Sequence, residues 1–144
     1  MTSLALIEDS ILKHITEPLQ QLGVQIDNSP QSGRPNPRAK LIFFYEGSRF
    51  AAPEVMAAMV QERAIRFRFD VRLFENRSHR EIYPILEAVH QYLTGFEPEG
   101  TKNAAMIPIT DEYVANEQGA WFYSLTYGLQ VNHLQKKESL TKCQ

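Results

Sequence analysis

The 144-residue chain is 43% hydrophobic and carries a formal charge of −2, with an isoelectric point near 6.1. That size and apolar content suit one domain with one core, which needs no disulfide or metal to fold, and the mild acidity argues against a surface devoted to gripping DNA. The single cysteine, Cys143, excludes an internal disulfide; no apolar run approaches the roughly 20 residues of a membrane span, and Glu8 and Asp9 interrupt the stretch where an export signal would need its apolar core, so a soluble chain is expected.

The opening segment SLALIEDSILKHITEPLQQLG (3–23) places Leu4, Ile7, Ile11, Ile15, Leu19 and Leu22 at three- and four-residue steps, the stripe of an amphipathic helix. Ser3 or Thr2 can cap its start, and Glu8 and Asp9 fall early, where the helix dipole favours acids. Gly23 is placed to end it, and Pro18 removes one backbone donor near the last turn. VQIDNSPQSGRPNPRAK (24–40), rich in Pro, Asn, Ser and Gly, predicts a loop, with a short strand over 24–26. KLIFFYEGSRF (40–50) is too densely apolar for a strand with one wet face, which predicts a central strand over 40–46 ending at Gly47. APEVMAAMVQ (52–61) reads as a mobile or extended loop.

In QERAIRFRFDVRLFENR (61–77), Ile65, Phe67, Phe69, Val71 and Leu73 share one parity and Arg66, Arg68, Asp70 and Arg72 the other. This is a long, half-buried strand with its aromatic face inward. The period turns helical in SHREIYPILEAVHQYLTGF (78–96), where Ile82, Ile85, Leu86, Val89 and Leu93 form the buried stripe, Ser78 and Glu81 have capping-box spacing and Gly95 is a natural terminator. Pro84 either distorts the first turn or moves the regular helix nearer Tyr83. Two strands follow, about 104–114 and 120–131, joined by ANEQGA, whose Gly119 can take a positive φ. NHLQKKESLTKCQ (132–144) is a polar tail. The order helix, strand, strand, helix, strand, strand predicts a single α+β domain over 1–131, with a mainly antiparallel sheet and two helices on one face.

The chain has no Walker loop, dinucleotide fingerprint or nucleophile elbow. Glu87 and His90 make an E-x-x-H pair, but a di-iron site needs a second such pair and further carboxylates, so a solvated pair is the preferred reading. His14, His79 and His133 are scattered on other elements and read as structural or exposed. A strand face bearing Arg66, Arg68 and Arg72 could track phosphates. The aromatic residues of that strand lie on its opposite face, however, where they cannot offer a stacking platform without leaving the core. A solvated face, or arginines pairing with acidic groups on a neighbouring subunit, is therefore favoured over DNA binding. Arg34, Arg38 and Lys40 sit in a proline-stiffened basic segment, either a solvated connection or an arm for reaching a partner.

Taken together, IEDSIL (7–12), YEGSRF (45–50), QERAIRFRFDVRLFENR (61–77), ILEAVHQYLTGFEP (85–98) and WFYSLTYGLQV (121–131) resemble a family of small tail proteins from Mu-like phages and prophages. That family is similar in fold to the tail-terminator, or tail-completion, proteins of long-tailed phages. The resemblance implies a non-enzymatic virion protein of the tail or neck, assembled in the host cytoplasm and needing no cofactor. It would form a homohexameric ring on the head-proximal end of the tail tube, halting tube growth and joining the tail to the head-side connector. Implied partners are copies of itself, the tail tube protein, the sheath protein of a contractile tail, and the connector or neck protein; no membrane is involved. A negatively charged ring would let DNA pass through its lumen without specific binding. On this reading Arg66, Arg68 and Arg72 face a neighbouring subunit or the tube, and Arg34, Arg38 and Lys40 form a partner-contact loop. The alternatives are another neck, head-to-tail connector or tail-completion ring protein, and a nucleic-acid-binding accessory domain.

Overall fold

The structure, a computed structural model, describes residues 3–27, 38–51, 60–74 and 78–134. Helix α1 spans Leu4–Gln21, and the Ser3 hydroxyl caps it by accepting from the Leu6 amide at 3.2 Å. Its three- and four-residue apolar spacing buries Ile7, Ile11, Ile15 and Leu19 completely, while Leu22, at the cap, is exposed. Gly23 closes the helix at φ +82°, its amide donating to the Gln20 carbonyl. Glu8 and Asp9 do not serve the helix dipole as expected: the first turn holds no acidic residue, and the dipole's influence fades beyond that turn.

Strand β1 (Val24–Ile26) pairs in parallel with β2 (Ala39–Phe50), and β2 pairs antiparallel with β3 (Val60–Leu73). After β3, a 3₁₀ turn over His79–Ile82 leads into α2 (Tyr83–Leu93). The hairpin of β4 (Ile107–Glu117) and β5 (Ala120–Leu134) completes a five-stranded sheet of order β1-β2-β3-β5-β4, with β5 antiparallel to both neighbours. The predicted α+β class holds: two helices cover one face of a mainly antiparallel sheet.

Two expectations for β2 fail, each for a physical reason. The strand does not stop at Gly47, because Glu46 is accommodated as an extra residue between the Tyr45–Phe67 and Gly47–Arg66 pairs, and the ladder resumes to Phe50. Nor is it buried on both faces: Leu41 and Phe43 enter the core, but Ile42 and Phe44 point to the helix-free side with 44% and 39% exposure. The second helix is divided as Pro84 requires. The proline sits in the first turn of α2, where its missing donor costs no helical bond, and the Ser78 hydroxyl caps the preceding 3₁₀ turn through the Arg80 amide rather than closing a box with Glu81. The expected stripe of Ile82, Ile85, Leu86, Val89 and Leu93 is buried.

Strand β4 begins at Ile107, later than expected, because the chain first makes a tight connection after α2. Gly95 donates to the Met106 carbonyl and Met106 to that of Phe96, each at 2.8 Å. Buried Thr101 braces the connection, donating to the Pro98 carbonyl at 2.7 Å and accepting from the Ala104 amide. The β4–β5 turn has Gln118 at φ +53° and Gly119 at φ +83°, two successive left-handed residues of the kind that match hairpin twist. Strand β5 runs past Val131 to Leu134. Residues 52–59, where a loop was expected, and 135–144 of the polar tail lie outside the described residues.

The core lies between sheet and helices. Phe43 stacks on Phe69 at 5.1 Å and Phe69 meets Tyr127 edge-on at 5.8 Å, under the α1 isoleucines and the α2 stripe.

Candidate assembly surface

Period-2 geometry gives the sheet a second, outer face, and among the described residues no helix covers it. Cross-strand register arranges that face in rows. Lys40, Arg72 and Phe122 form one; Ile42, Asp70 and Ser124 the next; Phe44, Arg68 and Thr126 the third; Gly47, Arg66 and Gly128 the fourth. All three strand arginines singled out in the sequence therefore lie on this one face. Arg68 Nε pairs with Asp70 Oδ1 at 2.8 Å, and the Arg72 guanidinium rests over the Phe122 ring, 4.6 Å from its centroid. Arg66 has no ion pair among the described residues.

The second candidate set divides. Lys40 belongs to β2 rather than to a loop and stands beside Arg72, so it joins the arginine face. Arg38 lies just before β2, its side chain exposed and alongside Gly23, and its carbonyl accepts from the Phe74 amide at 3.0 Å. Arg34 lies outside the described residues. Lys40 and Arg72 line a concavity of about 420 Å³ on the outer face together with Asp27, Ile42, Asp70, Phe74 and Phe122. Carboxylate, guanidinium, ammonium and apolar surface alternate there, which suits protein side chains better than a single small ligand.

Sequence parity missed part of this face. The inward turn of Phe67 and Phe69 was legible, but neighbouring strands return aromatic surface to the arginine side through Phe44 and Phe122. Strand β4 was expected as a strand, but its role as an exposed surface was missed. It is an edge strand exposed at ten of its eleven positions, including Ile107, Ile109, Tyr113 and Val114. Ile109 folds over Gly128, where even a methyl group would stand 2.8 Å from its Cδ1. The signal available was IPITDEYVANE itself: apolar residues without strict alternation, and carboxylates without a single basic residue.

His14, His79 and His90 are held structurally. His90 Nε2 meets Asp111 Oδ2 at 2.8 Å, its Nδ1 hydrogen-bonds the Tyr127 hydroxyl, and that hydroxyl reaches Thr94 Oγ1 at 3.2 Å. The ring thus ties α2 to β4 and β5, so of the Glu87–His90 pair expected from spacing Glu87 stays exposed while His90 is drawn into this network. Burial pushes the Tyr127 hydroxyl above the ordinary tyrosine range; the Thr94 hydrogen bond lowers it in part and the charge of Asp111 raises it further. His14 stacks on Phe96 at 3.8 Å with its Nε2 2.8 Å from the Tyr92 carbonyl, and His79 packs against Tyr83 and Trp121. Among the described residues no group of three or more His, Cys, Asp or Glu side chains is placed to hold a metal ion.

Among the described residues, a sheet face without a covering helix, an acidic edge strand and the packed His14, His79 and His90 characterise this small α+β protein. The family model described as Gp37 protein matches residues 11–143, and the chain belongs to that family. No curated protein matches it. Among solved structures, a chain from the virion of a native gene transfer agent particle has the same fold, with a TM-score of 0.62 at 13% identity over 92% of this chain and 100% of that one. A second solved chain matches with a TM-score of 0.55 at 14% identity over 94% and 98%.

Proposed function

We propose that the chain is a non-enzymatic structural protein of a phage or phage-like virion, and within it the tail terminator. Six copies close into a ring on the head-proximal end of the tail tube, stop tube growth, meet the last sheath ring where the tail is contractile, and join the tail to the head connector. The observation that supports this most directly is that its fold, over nearly the whole chain, recurs in a chain taken from a virion particle. The uncovered outer face gives the physical means. Exposed Ile42 and Phe44 interleaved with Arg66, Arg68 and Arg72 form an apolar surface with a charged code, suited to reversible assembly with a fixed partner. Head-to-tail contacts whose rotation closes give rings rather than filaments.

Two measurements test the reading. Antibody labelling of purified particles in electron micrographs places the chain at the junction of head and tail, and adding the protein to polymerising tail tube protein shortens the tubes. Label elsewhere on the particle, or tubes of unchanged length, overturns the terminator role; label at the junction without tube capping favours a connector. Retention of a labelled DNA duplex that falls steeply with salt would instead support the nucleic-acid reading.

A further inference from the structure

Strand β4 has no strand on its outer edge among the described residues. It carries Asp111, Glu112 and Glu117 and no lysine or arginine, with Ile107, Ile109 and Val114 exposed. Asp111 is engaged by His90, while Glu112 and Glu117 make no ion pair among the described residues. An edge of eleven residues invites pairing with another strand, but β4 breaks register twice, between Pro108 and Thr110 and between Tyr113 and Ala115. Such bulges twist an edge out of line and disfavour edge-to-edge addition. The other edge of the sheet, β1, is only three residues long and offers no matching ladder. What β4 can present is its side chains: carboxylates among aliphatic groups.

The same molecule carries the complement two and three strand positions away, on β3 and β2. Lys40, Arg66, Arg68 and Arg72 share the outer face of β2 and β3 with exposed Ile42 and Phe44, and Asp70 is the acid set among them. At a strand spacing of about 4.8 Å, β4 lies roughly 10 Å from β3 and roughly 14 Å from β2, and among the described residues no ion pair joins the β4 carboxylates to these basic side chains. We infer that the acidic edge strand β4 of one copy seats on the arginine face of β2 and β3 of the next copy. Each copy then donates one surface and receives on the other, a heterologous contact that propagates until it closes. This rests on the self-assembly reading above and names the two surfaces that it requires.

The test uses the full chain with Cys143→Ser, Arg66→Cys and Glu112→Cys. The two new thiols lie on different strands and different rows, beyond the reach of a disulfide within one chain. Mild oxidation at high protein concentration traps even a transient contact. The expected product is a ladder of trimers and larger species, about tenfold weaker in high salt, where exposed charges are screened. Monomers alone overturn the inference. Dimers alone also overturn it, because they indicate a reciprocal face-to-face pair, as does strong homodimer formation by either chain with one of the two new cysteines. A ladder formed by a protein that never labels the head–tail junction separates the two readings: the contact stands and the terminator role falls.

Discussion

Tyr127 illustrates how much a single hydroxyl can organise. Its ring is fully buried against Phe69 while its hydroxyl joins His90 and Thr94, so α2 and β5 meet at one oxygen and the His90 ring carries the link on to Asp111 of β4. Tyr127→Phe keeps the packing and removes the oxygen, leaving the His90 Nδ1 without its partner. A loss of about 1–2 kcal/mol is expected in urea denaturation. The same group sets an alkaline limit. Because its folded pKa lies above that of an unfolded tyrosine, 10.0, its contribution to stability is fully present below pH 10 and is lost as pH rises through the folded value, the unfolded chain having released the proton first. Stability measured between about pH 9 and 11 should therefore fall less steeply in Tyr127→Phe. Part of the fall should remain, because burial, followed by the neighbouring Tyr83 and Tyr113, raises Tyr123 in the same direction. The E-x-x-H spacing of Glu87 and His90 was visible in the sequence. The partners that decide its meaning, 21 and 37 residues away, were not, because only folding brings them to α2.

Periodicity identified the elements, and local chemistry fixed their ends less well. The α2 stripe and the Ile7 to Leu19 part of the α1 stripe emerge as read because an α-helix packed on a sheet buries one face, whereas Leu22, past the last turn, is exposed. Strand β3 follows for the same reason at period 2. Strand β2 does not, since an unbroken apolar run fits either two buried faces or one buried and one awaiting a partner, and periodicity cannot tell these apart. Its continuation past Gly47 depends on β3, whose ladder absorbs the extra residue. The β4–β5 turn is the most local of these features, with left-handed backbone at Gln118 and Gly119. Gly119→Ala places a Cβ at φ +83°, for a cost of about 1–2 kcal/mol. Hydrogen exchange should show the lost protection concentrated at the β4–β5 hairpin end, with α1 little changed.

On the proposed assembly reading, the two faces of the sheet divide stability from assembly, and substitutions should separate accordingly. Ile11→Ala empties a fully buried site between α1 and the sheet and should cost about 2–5 kcal/mol by denaturation. Arg66→Glu combined with Arg68→Glu sacrifices one partly exposed ion pair, worth about 1 kcal/mol or less, so the monomer stays folded while assembly into rings is lost. Intact rings in that variant would count against the arginine face as an interface. The chain's amino-acid order by itself determined the α+β class, both helical stripes and the inward aromatic parity of β3, because each depends on spacing within one segment. Only the tertiary structure decided that Lys40, Arg72 and Phe122 share a row, that Ile42 and Phe44 stand uncovered, and that an acidic strand closes one edge of the sheet. Those are properties of register between distant segments, and register is set by the packing of the entire core.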